Sequence, residues 1–377
     1  MRIGIVCYPT FGGSGVVATE LGMALADNGH EVHFITYNQP VRLDFISHNL
    51  HFHEVMMEEY PLFQYQPYEL ALSTRMVEVV EKYQLEILHV HYAIPHAYAA
   101  YMAKQMLREK GIDIKVVTTL HGTDITLVGS HPTYRAAVEF SINHSDVVTT
   151  VSESLKEDTL RLFNITNDIQ VIHNFIDMEK YDRANEKECQ RIALAKPEER
   201  IFTHISNFRP VKRVNDVIKT FALVHEKVPS KLLMVGDGPD KRGAELLAKK
   251  LGIKEDVIFL GNSSEVTELL CYTDVFLLPS ETESFGFAAL EAMAAEAAVI
   301  STNTGGLPEV NEHGFSGYLS NIGDIEDMAN NALKIVKDDA TLLRFKKNAK
   351  ARTKLFSLKN ILPVYEDIYE SLIVKTN

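Results

Sequence analysis

Short apolar runs rich in valine and isoleucine alternate with longer amphipathic segments along the whole chain, and no other feature constrains its fold as much. In the first half the runs are residues 2–7, 31–36, 86–90, 115–120 and 146–151. Each is almost continuously hydrophobic rather than alternating, the pattern of parallel strands covered on both faces. Between them, residues 15–28, 68–83, 96–110, 133–144 and 153–163 repeat apolar positions at helical spacing. Units of strand, helix and strand repeated in this way build a doubly wound α/β sheet.

The rhythm stops at residues 182–200, which are polar, charged and poor in large apolar side chains, and the stretch reads as a linker. It then restarts, with strands expected at 201–206, 231–235, 257–260, 274–278 and 298–302 and helices at 213–227, 240–251 and 287–295. A chain of 377 residues is long for one domain and comfortable for two. The expected fold is therefore two Rossmann-like domains facing a cleft, residues 1–181 and 201–357. The last helical segment, within 358–377, is long enough to cross back to the first domain.

Charge and cysteine usage narrow the function classes. The net charge of −13 repels nucleic acid and anionic membrane, so neither is an expected partner. An anionic substrate must be captured by a local cluster of donors. Cys7, Cys189 and Cys271 make neither a CxxC pair nor a metal-ligand spacing, which suits a reducing compartment. No leader pattern opens the chain and no apolar run approaches the roughly 18 residues of a spanning helix, so a cytoplasmic location is expected. Self-association stays open.

Several motifs stand at the ends of expected strands, where open α/β sheets bind ligands. Gly12, Gly13, Ser14 and Gly15 follow the first strand and open a helix, whose free amides suit a phosphate or carboxylate. The GxGxxG register and the acidic partner of a dinucleotide site are missing. A tight turn without a ligand is the alternative. His121 lies in Thr118–Asp124, exposed enough to bond a hydroxyl, unless Thr123 and Asp124 merely cap a helix. His89, His91 and His96 surround another strand end with Tyr92 between them, but no carboxylate or cysteine completes a zinc spacing there.

In the second half, Arg209 and Lys212 follow Ser206 at a strand end and can converge on one anion, Arg as a fork and Lys as a compact charge. Gly236–Pro239 and Thr304–Glu309 are further glycine turns. The most informative segment is 279–291. A helix expected to start near Gly286 points unpaired amides at whatever lies beyond it. Glu291, about one turn in, can accept from two vicinal ribose hydroxyls. Glu283, in the loop before, can bind a sugar hydroxyl or stabilise positive charge at an anomeric carbon. A dipole-stabilising acid and a surface acid are the plainer readings of the two.

At these residues the chain resembles the retaining glycosyltransferases of family 4, which have the GT-B fold. Glu283-Ser284-Phe285-Gly286 with Glu291 five residues on is similar to that family's E-x-F-G-x4-E donor motif. The resemblance implies Glu283 at the donor hexose, Glu291 at the ribose, His121 at the sugar 6-hydroxyl, and Arg209 and Lys212 on the diphosphate. It adds Gly13, Asn174, Ser206, Phe285 and Gly286 to the donor site. Ser14, Tyr92 and Thr119 would then line the acceptor pocket, with Arg135 as the cation for an acidic acceptor. The strings 7–9, 91–96, 118–126, 173–177 and 206–209 are similar to one branch of the family. That branch joins N-acetylglucosamine, from UDP-N-acetylglucosamine, to L-malate, the first step of bacillithiol formation. No cofactor or metal is implied, in line with the missing DxD pair. Two departures stand out: Asn207 occupies a place where most of the family has Arg, and Ala294–Ala298 replaces a Gly/Pro turn. A different acceptor, a UDP-N-acetylglucosamine 2-epimerase of the same fold, and a non-catalytic sugar-nucleotide binder are the rivals.

Overall fold

Each half of the alternation folds around one parallel sheet. The computed structural model describes residues 1–10, 12–43, 47–58, 61–186, 191, 194–263 and 266–374, without the side chains of 183–186, and everything below concerns those residues. The chain divides into two compact units. Unit 1 is Met1–Asn174 with Lys359–Asn377, and unit 2 is Phe175–Leu358.

Unit 1 holds β1 (Arg2–Val6), β2 (Glu31–Thr36), β3 (Leu50–Glu54), β4 (Ile87–His91), β5 (Lys115–Leu120), β6 (Val147–Thr150) and β7 (Ile169–Val171). They lie in the order β3-β2-β1-β4-β5-β6-β7, every pair parallel. Unit 2 holds β8 (Arg200–Ile205), β9 (Ser230–Val235), β10 (Val257–Gly261), β11 (Val275–Leu278), β12 (Ala298–Thr302) and β13 (Gly317–Ser320). Their order is β10-β9-β8-β11-β12-β13, again all parallel. In both sheets the order reverses beside the first strand, between β1 and β4 and between β8 and β11. Ligands of doubly wound folds sit at such switch points. The loops that leave these four strands carry Gly13 and Ser14, Tyr92, Arg209 and Lys212, and Glu283.

Three strands were not legible as apolar runs: β3, β7 and β13, and each is an edge strand. An edge strand has one neighbour and less cover, so its sequence escapes the double-sided burial that makes central strands uniformly apolar. The unit boundary also differs from the expected one. The chain passes into unit 2 at Phe175, because Ile176 pairs with Ser357 and exchanges backbone bonds with Phe356 and Leu358. The expected linker therefore lies within unit 2. A helix, Met178–Glu186, runs into it, and the Arg191 guanidinium bonds the carbonyls of Glu199 and Tyr272 and the Asp274 carboxylate. The rest of it, 187–190 and 192–193, lies outside the described residues, as does Cys189. Cys7 is buried, which pushes its thiol up to about 12.

The final helix, Leu358–Val374, packs its inward face into unit 1. Tyr369 is fully buried, and its hydroxyl lies 2.7 Å from His89 Nδ1. His89 Nε2 is 2.7 Å from Thr119 Oγ1, which in turn meets Thr149 Oγ1 at 2.7 Å. Among the described residues, no helix is long and apolar enough to cross a membrane. Replacing Tyr369 by Phe keeps the ring but leaves His89 Nδ1 unpaired in the interior. Tyr369→Phe is expected to cost unit 1 about 1–3 kcal/mol, read as a lower denaturant midpoint with an unchanged slope.

Candidate active site

In unit 1 the site begins with the turn after β1. The helix Gly13–Asp27 starts at that turn, and its Gly13 and Ser14 amides bond no described residue. Ser14 Oγ lies 2.7 Å from the Tyr92 hydroxyl. Tyr92 follows β4 with φ +90°, a conformation that costs a non-glycine residue of order 1–3 kcal/mol and that concentrates at functional sites. Its amide donates to the Thr119 carbonyl, which holds the strained turn against β5. Gly13, Ser14 and Tyr92 are thus brought together.

His121 follows β5. Its Nε2 lies 2.8 Å from His91 Nδ1, and the Tyr92 ring centroid is 5.2 Å from its own. Asp124 positions this turn. One carboxylate oxygen accepts from the amides of His121 and Gly122, the other from Ala93 after β4. Asp124 does cap backbone, as the sequence suggested, but it ties together the two loops that carry Tyr92 and His121. His91 Nε2 and His96 Nε2 are buried and bond no described residue, so a water or a ligand hydroxyl would satisfy them. The three histidines of β4 and its following turn form hydrogen bonds rather than a metal cluster among the described residues.

Two acceptor residues are placed otherwise than expected. Thr119 is 1% exposed and its hydroxyl is taken by His89 and Thr149, so it is committed to neighbouring side chains. Arg135 pairs with Glu139 one turn on, and its guanidinium lies over the Phe163 ring. Both contacts hold it to its own surface. Asn174 is buried just beyond β7.

In unit 2, Lys212 and Glu283 form a part-buried ion pair. Ser280 Oγ donates to the same Glu283 oxygen at 3.0 Å, and the Glu283 carbonyl accepts the Gly306 amide. Gly305 has φ +53°, and a Cβ there would stand 1.9 Å from the Glu283 carbonyl oxygen, so only glycine lets these two loops meet. His204 donates from Nδ1 to the Leu277 carbonyl and so accepts the Ser206 hydroxyl at Nε2. Ser206 also accepts the Phe208 amide, which fixes the turn leading to Arg209. The Arg209 guanidinium is exposed and bonds no described residue. Arg213, not singled out from the sequence, is committed to Asp216.

The helix Phe287–Ala294 begins at Gly286 with φ +95°, and its Phe287 and Ala288 amides bond no described residue. Glu291 is 6% exposed, not a surface acid, and its Oε1 accepts the Tyr181 hydroxyl at 3.1 Å. Tyr181 was missed because it sits at the end of the expected first domain, with no motif around it. Phe285 turns its ring inward, edge-on to Phe356, so its side chain shapes the loop.

Charge is distributed unevenly between the units. Burial lowers His89 and His121 to about 3 and His96 to about 4, and holds His91 well below its ordinary value. His33 and His53 fall to about 4 for the same reason. Unit 1 therefore presents neutral imidazoles, and unit 2 presents cations.

Residues 11–180 match the family described as Glycosyltransferase Family 4, and residues 185–352 match Glycosyl transferases group 1. The chain is 47% identical over 374 residues to the N-acetyl-alpha-D-glucosaminyl L-malate synthase of Bacillus anthracis, covering 99% of this chain and 97% of that protein. Its fold is similar to sucrose-phosphate synthase from Thermosynechococcus elongatus, with a TM-score of 0.81 at 21% identity over the full length of both. It is also similar to Anabaena HepE bound to UDP-glucose, with a TM-score of 0.79 at 19% identity, covering 98% of this chain and 100% of that one.

The buried histidines give a pH prediction. An unfolded histidine titrates near 6.5, whereas these stay neutral down to about 3–4. Their contribution is present above pH 6.5 and is lost as pH falls from there, because the unfolded state takes up protons that the folded state refuses. Asp124, raised to about 6 by burial, opposes this only in part. Unit 2 has one such histidine, His204, lowered to about 4. Amide exchange followed by peptide should show unit 1 opening before unit 2 between pH 6.5 and about 4. Simultaneous opening would contradict the assignment of neutral histidines.

Proposed function

The chain belongs to family 4 of the glycosyltransferases, and from that premise we propose that it transfers N-acetylglucosamine from UDP-N-acetylglucosamine to the hydroxyl of L-malate with retention of anomeric configuration. The observation that carries this reading is the 47% identity, over nearly all of both chains, to a protein whose name gives that sugar and that acceptor. The geometry of each unit supports it.

In unit 2 the diphosphate meets the Arg209 fork, the Lys212 ammonium and the free amides at the start of the helix Phe287–Ala294. These are fixed donors aimed where negative charge grows as UDP leaves. Glu283 stays beside Lys212 and takes a hexose hydroxyl. A carboxylate has about four acceptor positions, so Glu291 keeps capacity for the ribose hydroxyls while Tyr181 holds one oxygen. In unit 1 the neutral His121 offers a ring nitrogen to a sugar hydroxyl without placing a positive charge beside an anomeric carbon that itself becomes cationic. Ser14 and Tyr92, with the free amides of the first helix, suit the acceptor hydroxyl and a carboxylate.

The malate hydroxyl attacks the anomeric carbon as the bond to the UDP oxygen breaks, on the face UDP leaves. The hydroxyl proton passes to a phosphate oxygen, giving UDP and the α-linked product. The reading includes no metal in this step, since Arg209 and Lys212 meet the phosphate charge.

UDP release from UDP-N-acetylglucosamine should require L-malate, persist in excess chelator, and yield an α-anomer by proton coupling. Release independent of malate would remove the acceptor and leave the family assignment standing. Lys212→Ala should lower kcat by about 10²–10³-fold, and near-normal turnover would refute its role. Gly305→Ala should displace Glu283 and cost about 100-fold in the same assay, with the fold retained.

A further inference from the structure

The starts of β2 and β3 carry a group of side chains at the sheet end opposite the strand C-termini, independent of the transfer reading. Glu31 opens β2 and His51 is the second residue of β3. The strands run parallel with His33 opposite His51, and Glu31 lies two residues before His33. All three side chains therefore leave one face of the sheet.

Their donor atoms converge. Glu31 Oε1 is 3.2 Å from His33 Nε2 and 3.4 Å from His51 Nε2, and the three atoms lie within 4.8 Å of one another. Donors held about 2.0–2.1 Å from a tetrahedral ion stand about 3.3 Å apart, so both measured separations match a shared ion. The support behind the group matches too. His33 is fully buried, and its Nδ1 lies 2.8 Å from His53 Nε2. If Nε2 ligates, Nδ1 keeps the proton and donates to His53, which fixes the ring as outer partners of metal-bound histidines do. Tyr83 covers the rings from the helix Tyr68–Tyr83, its centroid 4.6 Å from that of His33 and 5.0 Å from that of His53. Arg2, a nearby cation, is turned to Gln84 and Glu86.

Glu31 and His51 are the open side, with side chains 40% and 36% exposed, so an ion can enter and keep a water. Two imidazole nitrogens and one carboxylate suit zinc, whereas calcium and magnesium want oxygen alone. We propose that Glu31, His33 and His51 bind one zinc ion, with water as fourth ligand and His53 orienting His33, and that the ion ties the edge strand β3 to β2. A metal cross-link there guards a strand with a free edge.

The test is a titration of the metal-free full chain with Zn²⁺ by equilibrium dialysis, repeated with Co²⁺ for its visible absorption. One ion per chain is expected, with the absorption of four-coordinate cobalt. Glu31→Gln and His51→Ala, both at partly exposed positions, should each weaken binding at least tenfold while keeping the metal-free circular dichroism. His53→Ala should weaken it by about 10–100-fold. Zinc should raise the Tm of the unaltered chain and leave that of His51→Ala unchanged. No bound ion in the unaltered chain would overturn the proposal, as would equal affinity in Glu31→Gln and His51→Ala.

Discussion

Lys212 and Glu283 hold each other where the loops of unit 2 converge, and much of that unit's ligand side depends on the pair. Glu283 takes Lys212 and Ser280 on its carboxylate and the Gly306 amide on its carbonyl. Ser280 in turn accepts the Thr302 hydroxyl, and Glu281 donates its amide to Val211 beside Lys212. The loops after β8, β11 and β12 are thereby fixed to one another through the groups that the proposed reading assigns to the ligand. A part-buried pair of this kind is weak evidence for stability, because desolvation offsets much of the attraction. Its value is in position. Removing one partner leaves the other as an uncompensated charge and releases the loops together.

Unit 1 solves a parallel problem without net charge on its rings. Asp124 grips three amides from two loops, and a ladder of buried hydroxyls and one neutral imidazole runs from Tyr369 through His89 to Thr119 and Thr149. Under the proposed reading, the cations of unit 2 serve phosphate and the neutral groups of unit 1 serve hydroxyls. A chain with a net charge of −13 cannot draw an anion by its overall field, so the proposed reading gives that task to local amides and the Arg209 and Lys212 cations.

The central strands were readable because burial on both faces leaves little choice of residue, and the bounds of β2, β5 and β12 match the apolar runs. Three edge strands were not, as in β3, which carries histidines where a central strand would carry valine, whereas the edge strand β10 showed as the apolar run 257–260. The loop at 279–291 was legible as a candidate site through its glycine and acids. The direction of a side chain was not, because it is set by partners distant in sequence. Phe285 faces Phe356, Glu291 meets Tyr181, and Thr119 is claimed by His89 from one strand away and by Thr149. The same long-range pairing moved the unit boundary to Phe175, where Ile176 binds a segment about 180 residues on.

The claim on which the account rests is that Lys212 and Glu283 act as one device on the donor. A double-mutant cycle on kcat/KM for UDP-N-acetylglucosamine, using Lys212→Met, Glu283→Gln and the double variant, tests it directly. The account predicts strong non-additivity, with the double variant little worse than the poorer single one. Additive losses would show two independent residues and contradict it.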